Sequence, residues 1–363
     1  MKNKMAIISF FSLLALAVSG TIYLEQAEAG SKQSDLTIVS QYVVEPPVLD
    51  GVAESMWDDV PEITVAAFGG ANGGNHTITL KSVYSEDQVH FLVRWSDETL
   101  SLRRFPWVKQ DDGSWLRLND GSDHDENLYY EDKFSFIWNI NNSIVGFNEG
   151  AGCFATCHAG EPNKAYGNKY TQNAGEKGDI WHWKSVRSGP EGYVDDQYVD
   201  DARWSEDNGG AGRHSDPRDS GSYVNNISED GSAPVYMSPA GAAGNYWILD
   251  SEKVEFVDSF EAGDEIGSIV VQRATGDRGD ISAQGVYGDG GWTLEISRDL
   301  VTGSDVDIQF DDFEKSYFFG MAVFDNAQVR HSFQSGVSIL NFAPKPTAVA
   351  GQSWGKVKGA FVR

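Results

Sequence analysis

The sequence predicts an all-β protein, an antiparallel β-sandwich, from three observations. Residues 78–84 and 89–95 alternate apolar and polar side chains on either side of the Ser85-Glu86-Asp87 turn, which is typical of a hairpin. The last third of the chain is a series of further short strand-like runs separated by turn residues. Helical periodicity is almost absent throughout, so few helices are expected.

The first 29 residues are typical of an export signal. Lys2 and Lys4 give a positive start, residues 6–18 form an apolar stretch, and Ala27-Glu28-Ala29 is a small-x-small cleavage site. We expect cleavage near Ala29 and a mature protein that is periplasmic or secreted. The alternative is an uncleaved anchor, because residues 6–24 are nearly long enough to span a bilayer.

The mature chain is predicted to begin with a strand at 36–44, which ends at the turn residues of 46–51. A short helical turn is expected at 54–57, before the hairpin of 78–95. His90 lies out of phase with the apolar residues of its strand, so we expect it to face solvent or a hydrogen-bonding neighbour. A further strand is expected at 134–140.

Two polar segments interrupt the strands, and we interpret them as insertions at about 105–130 and 145–245. The first is rich in Asp and Gly but lacks the spacing of a calcium-binding loop, so we expect a solvated loop. Part of the second, residues 205–244, is low in aliphatic side chains and predicts an irregular excursion.

The last third predicts seven strands, two of which flank Asp289-Gly290, a typical hairpin turn. Their expected ranges are 253–260, 266–273, 281–287, 292–297, 306–310, 317–324 and 337–342. No internal repeat is visible, and we expect residues 30–363 to form a single domain.

The formal net charge is −26. A surface of this charge repels nucleic acid and anionic lipid, and it would attract a basic protein partner. The alternative is that the charge serves only solubility.

The two cysteines of the chain both lie in Cys153-Phe154-Ala155-Thr156-Cys157-His158. This pattern is one residue longer than the C-x-x-C-H to which haem is attached through two thioether bonds, with the histidine as an iron ligand. We interpret it as a haem-attachment motif in an exported chain, with one haem of the c type. The alternatives are non-covalent haem and a disulfide between Cys153 and Cys157.

A second candidate segment follows at 179–187, where two indoles, one imidazole and two cations occur within nine residues. Trp181 and Trp183 could flank a porphyrin, while Lys184 or Arg187 meets a propionate through charge-assisted hydrogen bonds. The alternative is a buried strand with ordinary core tryptophans.

Three segments together resemble the haem-binding subunit family of ethylbenzene and dimethylsulfide dehydrogenases, which are molybdenum enzymes. Residues 49–57 look like its D-G-x-x-x-E-x-x-W start, with two residues rather than three between Gly51 and Glu54; related sugar-binding modules and DOMON cytochromes share this start. Residues 181–184 are similar to its W-x-W-basic segment, and residues 319–325 to its late strand. The resemblance implies a β-sandwich that holds one haem near the loops at one end and passes electrons.

In those enzyme subunits, a methionine and a lysine hold the haem. This sequence departs from that pattern and resembles the branch with a cysteine motif, in which His158 would bind the iron. The residue nearest to the place of the usual lysine is His331, so the resemblance suggests His158 and His331 as the axial pair. Met237 and His182 are rivals for the second position.

We therefore expect an exported monohaem cytochrome that transfers electrons between redox partners and has no catalytic residues of its own. One alternative makes it the electron-accepting haem subunit of a molybdenum enzyme complex. Another is a haem-free carbohydrate-binding module, which the start motif and the 11 tryptophans would suit.

Overall fold

The computed structural model describes residues 36–346, apart from residue 123, residues 157–168 and residue 245. The export signal expected at 1–29 lies outside the described residues, and so do Cys157 and His158. No helix among the described residues is long and apolar enough to cross a bilayer.

Strands account for nearly all the regular structure. The first ten are β1 (Leu36–Tyr42), β2 (Ile63–Phe68), β3 (His76–Tyr84), β4 (Gln88–Ser96), β5 (Trp107–Lys109), β6 (Trp115–Arg117), β7 (Lys133–Asn139), β8 (Gly178–Lys184), β9 (Asp195–Val199) and β10 (Arg213–Ser215). The others are β11 (Ser220–Asn225), β12 (Tyr236–Met237), β13 (Ile248–Leu249), β14 (Val254–Glu255), β15 (Glu265–Ile266), β16 (Ile269–Thr275), β17 (Ser282–Gly288), β18 (Gly291–Asp299), β19 (Tyr317–Phe324), β20 (Ser332–Gln334) and β21 (Ser338–Phe342).

The helical segments described are all single turns of three to five residues. They are Ser55–Trp57, Ile140–Asn142, Phe147–Ala151, Gly152–Ala155, Gly189–Glu191, Gly241–Ala243 and Asp277–Gly279.

Thirteen strands form one continuous sheet that folds into the two walls of a sandwich. Its main path runs β10-β9-β8-β7-β19-β20-β2-β3-β4-β18-β17, and β1 and β21 link β3 to β19. The short strand β20 bridges the walls because it pairs with β19 on one side and with β2 on the other. The predicted antiparallel sandwich is confirmed, with parallel pairing where β1 meets β21 and β3 and where β13 meets β16.

The core between the walls is rich in aromatic side chains. Strands β7, β8 and β19 contribute alternate residues from one wall, and β3, β4 and β18 contribute them from the other. The indole of Trp95 on β4 meets that of Trp183 on β8, with ring centroids 6.0 Å apart. This packing fixes which face of β7, β8 and β19 points away from the core.

The start motif at 50–57 is a structural anchor. Gly51 has a φ of +82°, and a Cβ there would lie 2.3 Å from Val286, so only glycine fits. Its backbone N–H donates to the buried carboxylate of Glu295 on β18 at 2.8 Å. Glu54 accepts from the backbone N–H of Val48 at 2.7 Å, and Trp57 is buried. These residues therefore tie the start of the chain to the sandwich.

Both predicted hairpins are confirmed. Strands β3 and β4 pair from Ile78 to Tyr84, and β17 and β18 meet at Asp289-Gly290, where both residues have positive φ as a tight type I′ turn requires. The expectation for His90 was wrong: it is 2% exposed, and no described group bonds to either ring nitrogen.

Three of the predicted strands differ from the structure. Residues 266–273 are divided between β15 and β16, which belong to different sheets. Of residues 253–260 only Val254–Glu255 is a strand, and residues 306–310 form none. Residues 306–310 alternate apolar and polar side chains. Ile308 and Phe310 are indeed buried in the core, but they reach it from an irregular segment.

The two stretches predicted as insertions contain strands of both large and small sheets. In the first, β5 and β6 form a small sheet with β15. In the second, β8, β9 and β10 belong to the main sheet, and the part expected to be irregular, 205–244, contains β10, β11 and β12. The other two strands of this stretch, β11 and β12, pair with later strands, in the small sheets β11-β16-β13 and β12-β14.

Candidate functional site

The candidate site lies on the outer face of β7, β8 and β19, the face opposite the aromatic core. The register places His182 of β8 beside Ser135 of β7, and Ser135 beside Ala322 of β19. The neighbouring row joins Lys184, Lys133 and Phe324 across the same three strands. Because residues 135 and 322 are small, the larger side chains of the two rows can meet above them.

Phe324 is the centre of the group of side chains on this face. The His182 ring stacks on it with centroids 5.1 Å apart and planes at 27°. The ring of His331, in the segment between β19 and β20, approaches it with centroids 4.9 Å apart. The ammonium group of Lys133 lies 3.9 Å from its centroid, within the range of a cation–π contact.

His331 is half-buried, and its tautomer follows from its hydrogen bond. Nδ1 lies 3.1 Å from the carbonyl oxygen of Val329. A carbonyl only accepts, so Nδ1 must carry the proton, and in the neutral ring the lone pair then lies on Nε2. Metal-binding histidines generally have such a hydrogen bond, which orients the ring and leaves the other nitrogen as the ligand.

His182 is 6% exposed, and no described group bonds to its Nε2. Burial, together with the nearby cations Lys184 and Lys133, lowers the pKa of His182 well below its usual value. Its ring is therefore neutral at pH 7 and can also act as a ligand. A buried polar atom without a partner is uncommon and points to a group that binds there.

A cluster of buried cations lies at one end of the outer face, and we call Arg104, Lys133, Lys184 and Arg187 the basic cluster. Among the described residues two carboxylates accompany it: Asp195 is ion-paired with Lys184, and Glu131 with Arg187. Lys133 donates to the carbonyl of Gln328 at 2.9 Å, and no described carboxylate forms an ion pair with it. Buried cations usually have acidic partners, so this excess suits a bound anion.

The pKa values of the two lysines in the basic cluster reflect the same excess of positive charge. Burial and the neighbouring Arg187 lower the pKa of Lys133 well below its usual value. Burial also lowers the pKa of Lys184 to about 7, although Asp195 opposes the shift. An anionic ligand would favour the charged form of both amines.

Cys153, the first cysteine of the motif, packs on the same outer face. It is 7% exposed and belongs to an apolar cluster with Ile137 of β7 and Ile180 of β8. The preceding Gly152 has a φ of +53°, and a Cβ there would lie 2.1 Å from the carbonyl oxygen of Gly336. The close approach of these two backbone segments holds the start of the motif against the sheet.

The structure thus brings Cys153, His182 and His331 to one face, together with Lys184. The two indoles of the 179–187 segment lie on the opposite side: Trp181 and Trp183 are 1% exposed and belong to the core. A group bound on the outer face would not contact them, and the alternative of core tryptophans in a buried strand describes their position. Met237 lies apart in the β12–β14 pair, where its sulfur accepts from the Val257 N–H at 3.5 Å.

The sequence analysis missed Lys133, Arg104 and Phe324. Lys133 immediately precedes the apolar run 134–140, and a cation that continues the period-2 pattern of a buried strand is the signal that marks it. Arg104 and Phe324 carry no such local signal.

The family model described as ethylbenzene dehydrogenase matches residues 54–336. None of the curated proteins compared with the chain matches it.

Three solved structures are similar at low identity. Two are a family 9 carbohydrate-binding module from Caldicellulosiruptor kristjanssonii. Its complex with glucose has 6% identity, covers 87% of this chain and 100% of that chain, and has a TM-score of 0.34. Its complex with cellotriose has 10% identity, 86% and 97% coverage, and a TM-score of 0.32. The third, described as a carbohydrate-binding protein from Bacteroides uniformis, has 8% identity, 85% and 99% coverage, and a TM-score of 0.32. Similarity at this level carries no inference about function.

Proposed function

Because the chain belongs to the ethylbenzene dehydrogenase family, we propose that it is a haem-binding electron-transfer protein whose haem lies on the outer face described above. The observation that carries the proposal is the hydrogen bond between His331 Nδ1 and the Val329 carbonyl. It prepares Nε2 of His331 as a ligand on the face that also holds the first cysteine of the motif.

The proposed iron ligands are His331 and His158, which follows Cys157 in the motif. His158 belongs to residues 157–168, and the chain enters that segment from the helical turn Gly152–Ala155 on the outer face. His182 is the alternative to His331, since its ring also packs on Phe324 and no described group bonds to its buried Nε2. Phe324 lies against both rings, so we assign only one of the two to the iron.

The remaining residues present fit a haem. Cys153 and Cys157 would hold the porphyrin by thioether bonds, and export would place their attachment outside the cytoplasm. The basic cluster offers Lys133 to a propionate, while Lys184 and Arg187 already have the carboxylate partners Asp195 and Glu131. Haem supplies reversible one-electron transfer when bound.

Electron transfer without substrate chemistry follows from the two protein ligands, which leave no open position on the iron. The partner would be another redox protein, with a basic surface to match the net charge of −26. Membership of the family favours a molybdenum oxidoreductase as that partner, with this chain as a non-catalytic subunit.

Spectra of single variants test the proposal. The full chain, expressed in a host that exports proteins and attaches haem, should contain one haem per chain and give a low-spin spectrum. His331→Ala should convert it to a high-spin spectrum, whereas His182→Ala should leave it low-spin. The reverse result would assign the iron to His182. A wild-type chain without haem from the same host would refute the proposal.

The haem-free sugar-binding alternative loses one of its two sequence arguments. Seven of the 11 tryptophans are buried and unable to stack on a sugar ring: Trp57, Trp95, Trp107, Trp138, Trp181, Trp183 and Trp292. The other argument, the start motif, is accounted for by its structural role at the edge of the sandwich.

A further inference from the structure

A second group of buried titratable side chains lies at the β9–β10 edge of the main sheet, and the proposed haem site does not use it. Asp196 on β9 and Asp307, between β18 and β19, are 0% and 1% exposed. Asp216, which directly follows β10, is 3% exposed. One carboxylate oxygen from each residue lies within 4.8 Å of the other two.

These carboxylates lack the donors that buried carboxylates normally have. No described donor reaches either oxygen of Asp216, one oxygen of Asp196 or one oxygen of Asp307. The remaining oxygen of Asp196 accepts from the Gln197 N–H at 3.0 Å, and that of Asp307 accepts from the Thr302 hydroxyl at 2.6 Å. Four buried acceptor oxygens are thus left without a proton donor.

Arg298, the cation that lies beside the group among the described residues, already has partners. Arg298 donates to Asp179 at 3.3 Å and to the carbonyl oxygen of Ile308. Its distance to the Asp307 carboxylate is 4.0 Å. Asp179 is also buried and adds a fourth carboxylate to the neighbourhood of the group. Unbalanced negative charge of this kind is costly inside a protein.

We propose that Asp196, Asp216 and Asp307 bind a calcium ion. Oxygen-only ligands suit a hard cation, and three carboxylates with no histidine or cysteine do not favour zinc or copper. Oxygens that ligate Ca²⁺ at about 2.3–2.6 Å can lie about 5 Å apart, which accommodates the spacing here. Mg²⁺ holds its ligands at about 2.0–2.1 Å and requires a tighter octahedral arrangement.

The ion would join three segments that are far apart in the sequence. It would fix β9 to the end of β10 and to the irregular segment before β19. On β9, Asp195 and Asp196 point to opposite faces, and Asp195 forms the ion pairs with Lys184 and Arg278. The calcium ion would therefore hold β9 in place from the side opposite to Asp195, and so stabilise the position of the Asp195–Lys184 ion pair on the outer face. A neighbouring trio, Asp277, Asp280 and Asp307, shares one ligand but is more exposed.

Protonation of the carboxylates is the competing explanation. Burial and the neighbouring carboxylates Asp179 and Asp307 raise the pKa of Asp216 to about 10. A neutral carboxyl group would need no ion, so the experiment must separate the two cases by metal content.

The full chain, dialysed against EGTA, should bind one Ca²⁺ in a calorimetric titration and show much weaker binding of Mg²⁺. Ca²⁺ at about 100 times its Kd should raise the melting temperature by roughly 5 °C. Tb³⁺ bound in its place should luminesce on excitation of tryptophan, because Trp181 donates to Asp179 beside the site.

Asp216→Asn should abolish the calorimetric signal and the Ca²⁺ effect on melting. Asp219→Asn, at an exposed aspartate three residues away, should retain both. Wild-type protein that binds neither Ca²⁺ nor Tb³⁺ would overturn the proposal even if Asp216→Asn does not fold. An Asp216→Asn variant that is as stable as the EGTA-treated wild type, while the wild type shows no response to Ca²⁺, would favour protonation.

Discussion

The imidazole of His182 stacks on the phenyl ring of Phe324 at a centroid separation of 5.1 Å, although 141 residues separate the two positions and β7 lies between their strands. The contact is possible because β7 presents the small Ser135 beneath them. It makes Phe324 the common support of two candidate ligands and of Lys133, since His331 packs on the same ring.

Replacement of Phe324 by leucine should therefore affect both stability and the spectrum of the bound haem. Loss of the ring contacts should lower the free energy of unfolding by about 1 kcal/mol. Phe313→Leu is the control, because Phe313 stacks on Phe342 with centroids 4.9 Å apart and is partly buried against the core, away from the outer face. Urea unfolding should show a similar loss for both variants, and only Phe324→Leu should change the haem absorption. Equal spectra would contradict the placement of the haem.

Lys133 should influence the reduction potential. A buried cation near the haem favours the reduced form, which carries one positive charge fewer. Lys133→Met should lower the midpoint potential by roughly 50 mV, which corresponds to about 1 kcal/mol for one electron. Lys315→Met, at an exposed lysine, is the control. Potentiometric titration followed at the haem absorption band gives the measurement, and equal potentials in the two variants would argue against a haem beside Lys133.

The two glycines near Cys153 should respond differently to alanine. Gly152→Ala places a Cβ 2.1 Å from the Gly336 carbonyl oxygen at a positive φ, and it should lower the free energy of unfolding by about 2–4 kcal/mol. Gly320→Ala meets Ile137 at 3.5 Å and Cys153 at 3.7 Å, which are ordinary contacts. Its effect should stay within about 1 kcal/mol of zero. Denaturant unfolding of both variants tests the difference, and similar values would mean that the motif's backbone is not held as described.

His90 should make the stability depend on pH. It lies between Val83 of β3 and Ser297 of β18, and burial lowers its pKa to about 4, while Asp87 opposes the shift. The folded state thus binds fewer protons than the unfolded state below pH 6.5. The stabilisation is present above that pH and is lost as the pH falls towards 4.

Between pH 7 and pH 5, His90 should account for a loss of about 2 kcal/mol in the free energy of unfolding. His90→Leu should remove that component while preserving the buried position. Urea unfolding of both proteins at the two pH values gives the comparison. An unchanged pH dependence in His90→Leu would show that other groups are responsible.

The local sequence was sufficient to predict the hairpins and to recognise the family, because both depend on residues that are close together in the chain. The alternation in 78–84 and 89–95 identified one hairpin, and Asp289-Gly290 identified the tight turn of another, because few dipeptides adopt two positive φ angles. The motifs at 49–57, 181–184 and 319–325 were enough to recognise the family.

Which side of β8 is buried, and what lies beside it, was decided by the tertiary structure. Lys133, His182, Phe324 and His331 come from four segments that meet only because β7 pairs with both β8 and β19. The same holds for Asp196, Asp216 and Asp307, whose local sequences give no sign of one another. Periodicity determines how a strand presents its two faces. Strand pairing depends on the packing of the whole chain, and it alone placed these side chains together.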